Sequence, residues 1–295
     1  MLTLKAWART SFLLLLLTWT AVVHAQNICV KPQVFYINGV WNFDGYTATG
    51  TATSLNEALV AGGAPGNLFI RTIWSPGGVA DDLLEVLIAK YWDEPGSDFV
   101  DAILGELGPL ASSIVLQAEE RYRDQVDKVK NQVLAEITGT KTPVLMIAHS
   151  QGNIAVNQAV TELQNQNADT TGIRSIGILG IANADQRSSV GAFYRYITST
   201  RDKVIRPLPL AAPANFVDTP LSGLAHDVAY YLEPNPGRYG GEPTLTNTRA
   251  QIQKLFLEVF NATQASWPCV ELTSPPNPTT IAQATTLAVT VKARP

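Results

Sequence analysis

Short apolar runs alternate with longer amphipathic segments along most of this chain. The runs are rich in β-branched residues, and they predict strands at 34–37, 68–74, 144–148, 173–181 and 193–198. Their apolar residues are consecutive rather than alternating, which is typical of strands buried on both faces. Because helical segments separate them, we expect an α/β fold with a mainly parallel central sheet and helices on both faces.

The helical segments show apolar residues at intervals of three and four. They predict helices at 54–60, 79–91, 114–137, 154–163 and 248–260. Residues 271–295 are rich in Thr and Pro, and we expect them to form a loose tail. The folded domain is therefore predicted to span 26–270.

The first 25 residues have the pattern of a secretory signal peptide. Lys5 and Arg9 precede an apolar run, and Val23-His24-Ala25 resembles a cleavage site. The alternative is an uncleaved anchor helix, but the run is shorter than the roughly 20 residues that a membrane span requires. The sequence thus predicts a secreted or periplasmic protein without a stable membrane span.

Two cysteines, Cys29 and Cys269, lie near opposite ends of the predicted mature chain. In an oxidising compartment two cysteines most simply form one disulfide. Two buried thiols are the alternative. We therefore expect a bond that ties the N-terminus to the segment after the last helix.

Composition narrows the possible functions. The chain has 46% hydrophobic and 16% charged residues, which suits a large packed core. Its formal net charge of −4 argues against a nucleic-acid partner. Three histidines and two cysteines provide few ligands for a zinc site, so we expect no metal.

The strongest local motif is Ala148-His149-Ser150-Gln151-Gly152, which directly follows an apolar strand and precedes a helix. It resembles the nucleophile elbow of the α/β-hydrolase superfamily, whose pattern is Gly-x-Ser-x-Gly. Ala148 replaces the first glycine, and it is the next smallest residue. The resemblance implies an α/β-hydrolase fold with Ser150 as the nucleophile. An ordinary helix N-cap serine is the alternative.

The remaining triad residues follow from the superfamily's chain order of Ser, Asp and His. His226 is the expected base, because His24 lies in the signal peptide and His149 points away from the serine hydroxyl. Asp202 is the expected acid, since it comes just after the strand at 193–198. Asp185, after the preceding strand, and Asp218, in a proline-rich loop, are the alternatives.

The same resemblance implies an oxyanion hole made of two backbone N–H groups. Gln151, next to the nucleophile, is expected to supply one of them. Val40, in the loop after the first strand, is expected to supply the other, because Asn38-Gly39 resembles the superfamily's His-Gly loop. A plain Asn-Gly turn is the alternative.

The implied activity is that of a secreted serine hydrolase, a carboxylesterase or lipase-like enzyme that forms an acyl-enzyme without a cofactor. The expected substrate is a small-molecule or lipid ester. An amidase, thioesterase or acyltransferase would use the same triad. A binding module that kept the fold without catalysis is an alternative of a different class.

Overall fold

The structure is a computed structural model of the chain. It describes residues 27–39, 45–74, 117–166, 172–173, 175–186, 193–200, 202, 204–205, 211–216, 226, 228–232, 248–267, 269–271 and 290–292. The predicted signal peptide at 1–25 and the predicted helix at 79–91 lie outside the described residues. Two compact units are distinguished, one formed by 31–266 and the other by the two chain ends.

The described elements are numbered in chain order. The strands are β1 (Asn27–Cys29), β2 (Gln33–Ile37), β3 (Ile70–Ile73), β4 (Val144–His149), β5 (Gly177–Ile181), β6 (Phe193–Ile197), β7 (Cys269–Glu271) and β8 (Thr290–Lys292). The helices are α1 (Gly45–Ala61), α2 (117–134), α3 (Gly152–Asn165), α4 (Val228–Leu232) and α5 (Thr248–Ala265). A π-helical turn, Ala135–Thr140, follows α2 directly. None of the helices in the described parts of the chain is long and apolar enough to cross a membrane.

The larger unit is built around a five-stranded sheet with the order β3-β2-β4-β5-β6. Every neighbouring pair in this sheet is parallel. All six residues of β4 are buried, and the first five form the uninterrupted apolar run that predicts a buried strand. The prediction of an α/β fold with a parallel central sheet is confirmed, and the arrangement is consistent with the α/β-hydrolase fold.

Helices cover both faces of this sheet, as two glycines of β5 show. A Cβ atom added to Gly177 would clash with Thr263 of α5, whereas one added to Gly180 would lie 2.5 Å from Asn153 Oδ1 of α3. Residues three apart in a strand point to opposite faces. Helices α3 and α5 therefore pack on opposite sides of β5, and the glycines allow both to approach closely.

Helix α1 is longer than predicted, because it begins at Gly45 instead of residue 54. Its first turns are rich in Thr and Gly, which have low helix propensity and conceal the helical pattern. The hydroxyls of Thr49, Thr51 and Thr53 each donate to the carbonyl four residues earlier. Ala48 and Ala52 are buried on the inner face, so packing stabilises the segment that propensity disfavours.

The smaller unit contains an antiparallel sheet with the order β1-β7-β8. Strand β8 lies within the segment that was predicted to be a loose tail without strands, so that description does not hold for Thr290–Lys292. Val289-Thr290-Val291-Lys292 is rich in β-branched residues, which favour strands. The Thr- and Pro-rich composition of the whole segment concealed this short pattern.

We predict that Cys29 and Cys269 form a disulfide in the mature protein. Their Cα atoms are direct partners in the β1–β7 ladder. Such partners lie about 4.5–5.5 Å apart, within the range of about 4.4–6.8 Å that a disulfide spans. Closing so long a loop stabilises the folded state by about 5 kcal/mol in the chain-entropy model. Peptide mapping without reductant should recover the linked peptide, and a reduced sample is the control. Rapid alkylation of both thiols in the native protein would contradict the bond.

Candidate active site

Ser150 occupies a sharp turn between the central strand β4 and helix α3. Its φ is 52°, in the left-handed region that residues other than glycine rarely adopt. Its N–H donates to the Ile181 carbonyl at the end of β5, at 3.0 Å. The Asn153 side chain donates to the Ser150 and Ile181 carbonyls, at 2.9 and 3.3 Å. A strained backbone held by such bonds is typical of functional sites.

Two glycines let the backbone segments meet at this turn. A Cβ atom added to Gly152 would lie 2.7 Å from the Ile37 carbonyl oxygen and 2.8 Å from that of Asn38. One added to Gly39 would clash with the Ser150 Cβ and lie 2.5 Å from the His149 carbonyl oxygen. The loop after β2 therefore runs directly against Ser150 and the start of α3.

The structure brings Ser150, His226 and Asp202 together. The Ser150 hydroxyl and His226 Nε2 are 2.9 Å apart, and His226 Nδ1 lies 2.9 Å from Asp202 Oδ2. All three side chains are buried in the described structure, with Asp202 fully enclosed. Since a carboxylate can only accept, Nδ1 carries a proton, and in neutral imidazole Nε2 is then free to accept the serine proton. The arrangement can move a proton from the hydroxyl to the imidazole.

The Asp202 carboxylate is surrounded by donors besides His226. The backbone N–H groups of Val204 and Ile205 donate to Oδ1 at 3.0 and 2.9 Å. The Tyr231 hydroxyl donates to Oδ2 at 3.1 Å. Because burial removes a carboxylate from water, these hydrogen bonds replace the hydration that Asp202 loses in the protein interior.

His149 contacts the backbone of the histidine segment. Its Nε2 lies 2.8 Å from the His226 carbonyl oxygen, and the two imidazole rings are 5.0 Å apart. A carbonyl only accepts, so His149 Nε2 carries the proton of this bond. The residue that precedes Ser150 thereby helps to hold His226 beside the serine.

Asp185, the alternative acid, is directed to other partners. Its carboxylate accepts from the Asn157 side chain of α3 at 2.9 Å, and its N–H donates to the Asn183 side chain at 3.0 Å. Burial, together with the negative charge of Asp185, raises the pKa of the Tyr194 hydroxyl. The geometry of the described residues thus associates His226 with Asp202 rather than with Asp185. Asp218 lies outside the described residues.

Of the two expected oxyanion donors, the structure describes Gln151 but not Val40. Gln151 lies in the turn between Ser150 and the first residue of α3, at a helix N-terminus where negative charge is favoured. Val40 lies outside the described residues, although its neighbour Gly39 touches Ser150.

A metal site is not evident in the described parts of the chain, where no three residues among His, Cys, Asp and Glu form a suitable cluster.

The sequence did not predict the contact of Tyr231 with Asp202 or that of His149 with the His226 carbonyl. Tyr231 is one of two adjacent tyrosines in a five-residue helix, and no spacing rule distinguishes it from Tyr230. His149 was predicted only to point away from the serine hydroxyl. Both contacts depend on where His226 lies relative to β4. Long-range packing determines that position, so no local pattern predicts them.

No protein-family model matches the chain. No curated protein matches it in sequence. Among solved structures it is similar to a Trichoderma reesei cutinase in complex with a C11Y4 phosphonate inhibitor, at 12% identity and a TM-score of 0.39. The similarity covers 81% of this chain and 79% of the cutinase chain.

We expect Gly152→Ala to destabilise the protein, because the added methyl group meets two backbone carbonyls that cannot rotate away. Overpacking of this kind costs roughly 1–3 kcal/mol. Gly50→Ala is the matched control, since a Cβ atom there meets nothing within 4 Å. That change should stabilise helix α1 by about 0.5–1 kcal/mol. Urea unfolding measures both. Equal stability of the two variants would contradict the close approach at Gly152.

Proposed function

We propose that the protein is a serine hydrolase that cleaves carboxylic esters through an acyl-enzyme. The observation that carries this proposal is the continuous hydrogen-bonded series from the Ser150 hydroxyl through His226 to Asp202. A strained serine at a strand-to-helix turn supports the same assignment. The reaction needs no cofactor, because the nucleophile, base and acid are all side chains.

In the first half of the reaction the Ser150 oxygen attacks the ester carbonyl carbon. His226 Nε2 removes the hydroxyl proton as the new C–O bond forms, and Asp202 stabilises the resulting imidazolium. The tetrahedral intermediate collapses when the imidazolium gives its proton to the leaving alkoxide. An alcohol departs, and the acyl group remains on Ser150.

In the second half water takes the place of the alcohol. His226 removes a proton from water, the hydroxide attacks the acyl carbon, and the proton then passes to the Ser150 oxygen as the acid leaves. Ser150 and neutral His226 are thus regenerated. The negative oxygen of each tetrahedral intermediate requires donors, which we assign to the Gln151 and Val40 N–H groups. The position of Gln151 at the start of α3 and the contact of Gly39 with Ser150 support this assignment.

We infer a small-molecule or lipid ester as the substrate, and a secreted or periplasmic site of action. The compartment rests on the signal-peptide pattern of residues 1–25. Amide, thioester and acyl-transfer chemistry would use the same three side chains. A panel of para-nitrophenyl esters of increasing acyl length, with a matched anilide and thioester, distinguishes these activities. We expect the esters to be cleaved fastest.

We expect Ser150→Ala to abolish turnover while the protein stays folded. Loss of the nucleophile should reduce kcat on the order of 10⁶-fold. Labelling by a fluorophosphonate probe should disappear as well, and circular dichroism checks the fold. The wild type, labelled at Ser150 alone, is the control. Activity within tenfold of the wild type would remove Ser150 from the mechanism. A folded wild type that is neither labelled nor active on any ester would instead favour a binding module.

Replacement of the acid provides a matched pair. Asp202→Asn should reduce kcat about 10⁴-fold with little change in KM, because an amide cannot stabilise the imidazolium and favours the wrong tautomer. Asp185→Asn makes the same substitution at another buried carboxylate, which contacts Asn157 instead of His226. It should change kcat less than about tenfold. Steady-state kinetics on one ester measures both variants. A crippled Asp185→Asn beside a nearly silent Asp202→Asn would reverse the assignment.

A further inference from the structure

Tyr231 belongs to the same chain segment as the proposed base, yet its hydroxyl contacts the proposed acid. It lies five residues after His226, in helix α4, and its side chain is fully buried. Its hydroxyl donates to Asp202 Oδ2 at 3.1 Å, the same oxygen that His226 Nδ1 contacts at 2.9 Å. Two donors therefore converge on one carboxylate oxygen from a single segment of the chain.

The direction of the Tyr231 bond is fixed by a second contact. The Ser199 N–H, just after β6, donates to the Tyr231 oxygen at 3.1 Å. A phenol has one proton, and the oxygen that accepts from Ser199 keeps that proton available for Asp202. Burial and the charge of Asp202 raise the pKa of Tyr231, so the hydroxyl stays protonated and acts as a donor.

Each donor to the carboxylate reduces the negative potential that His226 experiences. The hydrogen bond from Tyr231 withdraws electron density from the oxygen that faces Nδ1, and it also fixes the carboxylate orientation. Without the Tyr231 hydroxyl, the carboxylate would be a stronger hydrogen-bond acceptor for the N–H at Nδ1 of His226.

We propose that Tyr231 is a positioning residue that orients Asp202 toward His226. The inference rests on the proposed Ser150–His226–Asp202 function and extends it to a fourth side chain. Tyr231 does not touch the reacting atoms. Its effect reaches the substrate only through Asp202 and His226.

The test is Tyr231→Phe, with Tyr194→Phe as the matched control. Tyr194 is a half-buried tyrosine whose hydroxyl bonds to Asn183 instead of the triad. Titration of the His226 ring by NMR, with ¹⁵N-labelled histidine, measures its protonation without turnover. Tyr231→Phe should raise the half-point of the His226 titration by about 0.5 pH unit or more, because the Asp202 carboxylate loses a hydrogen-bond donor. Tyr194→Phe should leave the half-point unchanged.

Kinetics on para-nitrophenyl butyrate provides the second readout. In Tyr231→Phe we expect kcat to fall about 5- to 50-fold with KM within about twofold, and the acidic limb of the kcat/KM profile to move upward with the NMR half-point. Tyr194→Phe should keep the wild-type kcat and profile. A merely structural role would lower the fraction of active protein without moving the profile.

An isosteric substitution keeps the test decisive if Tyr231→Phe does not fold. Tyr231→3-fluorotyrosine retains the side-chain shape but makes the phenol a stronger donor, so the His226 half-point should move downward. Unchanged half-points in the folded variants would overturn the proposal, whatever happens to kcat. Failure of the wild type to react with fluorophosphonate would contradict the proposed function separately, because the NMR titration needs no turnover.

Discussion

The backbone conformation of Ser150 is the constraint on which the arrangement of the candidate site depends. A positive φ at the end of β4 turns the chain abruptly into α3, and this turn directs the serine oxygen toward His226. Such a conformation costs of order 1–3 kcal/mol, which the surrounding contacts must offset. The Ile181 carbonyl and the Asn153 side chain hold the turn from two sides. The absence of a side chain at Gly152 allows α3 to start beside the end of β2.

The parallel sheet explains how residues that are distant in sequence meet at this turn. Ser150 and His226 are 76 positions apart, and His226 and Asp202 are 24 apart. In a parallel sheet the carboxyl ends of the strands lie at one edge, and ligand sites form there. Ser150 follows β4, and Asp202 comes shortly after β6. Helix α4 then carries Tyr231 back to the segment that contains Asp202. The parallel topology thus brings together polar groups that are distant in sequence.

The sequence predicted those features that have a local physical signature. Consecutive apolar residues identified the buried strands, and small residues around Ser150 identified the turn. The choice of Asp202 came instead from the resemblance to the α/β-hydrolase superfamily, in which the acid follows a strand between the nucleophile and the histidine. The contacts of Tyr231 and His149 depend on tertiary packing and have no such signature. The start of α1 was missed for a different reason, since burial of Ala48 and Ala52 overrides the low helix propensity of its Thr and Gly residues.

Burial alone does not distinguish the two candidate acids. Asp185 and Asp202 are both buried, at 5% and 0% exposure, and burial by itself favours the neutral carboxyl. The difference lies in their partners. Two backbone N–H groups, a phenol and an imidazole converge on Asp202, whereas a neutral amide of α3 meets the Asp185 carboxylate. A buried negative charge can support an imidazolium only where donors already compensate for its lost hydration. The hydrogen bonds around Asp202 therefore have two effects, because they replace its lost hydration and direct one of its oxygens at His226.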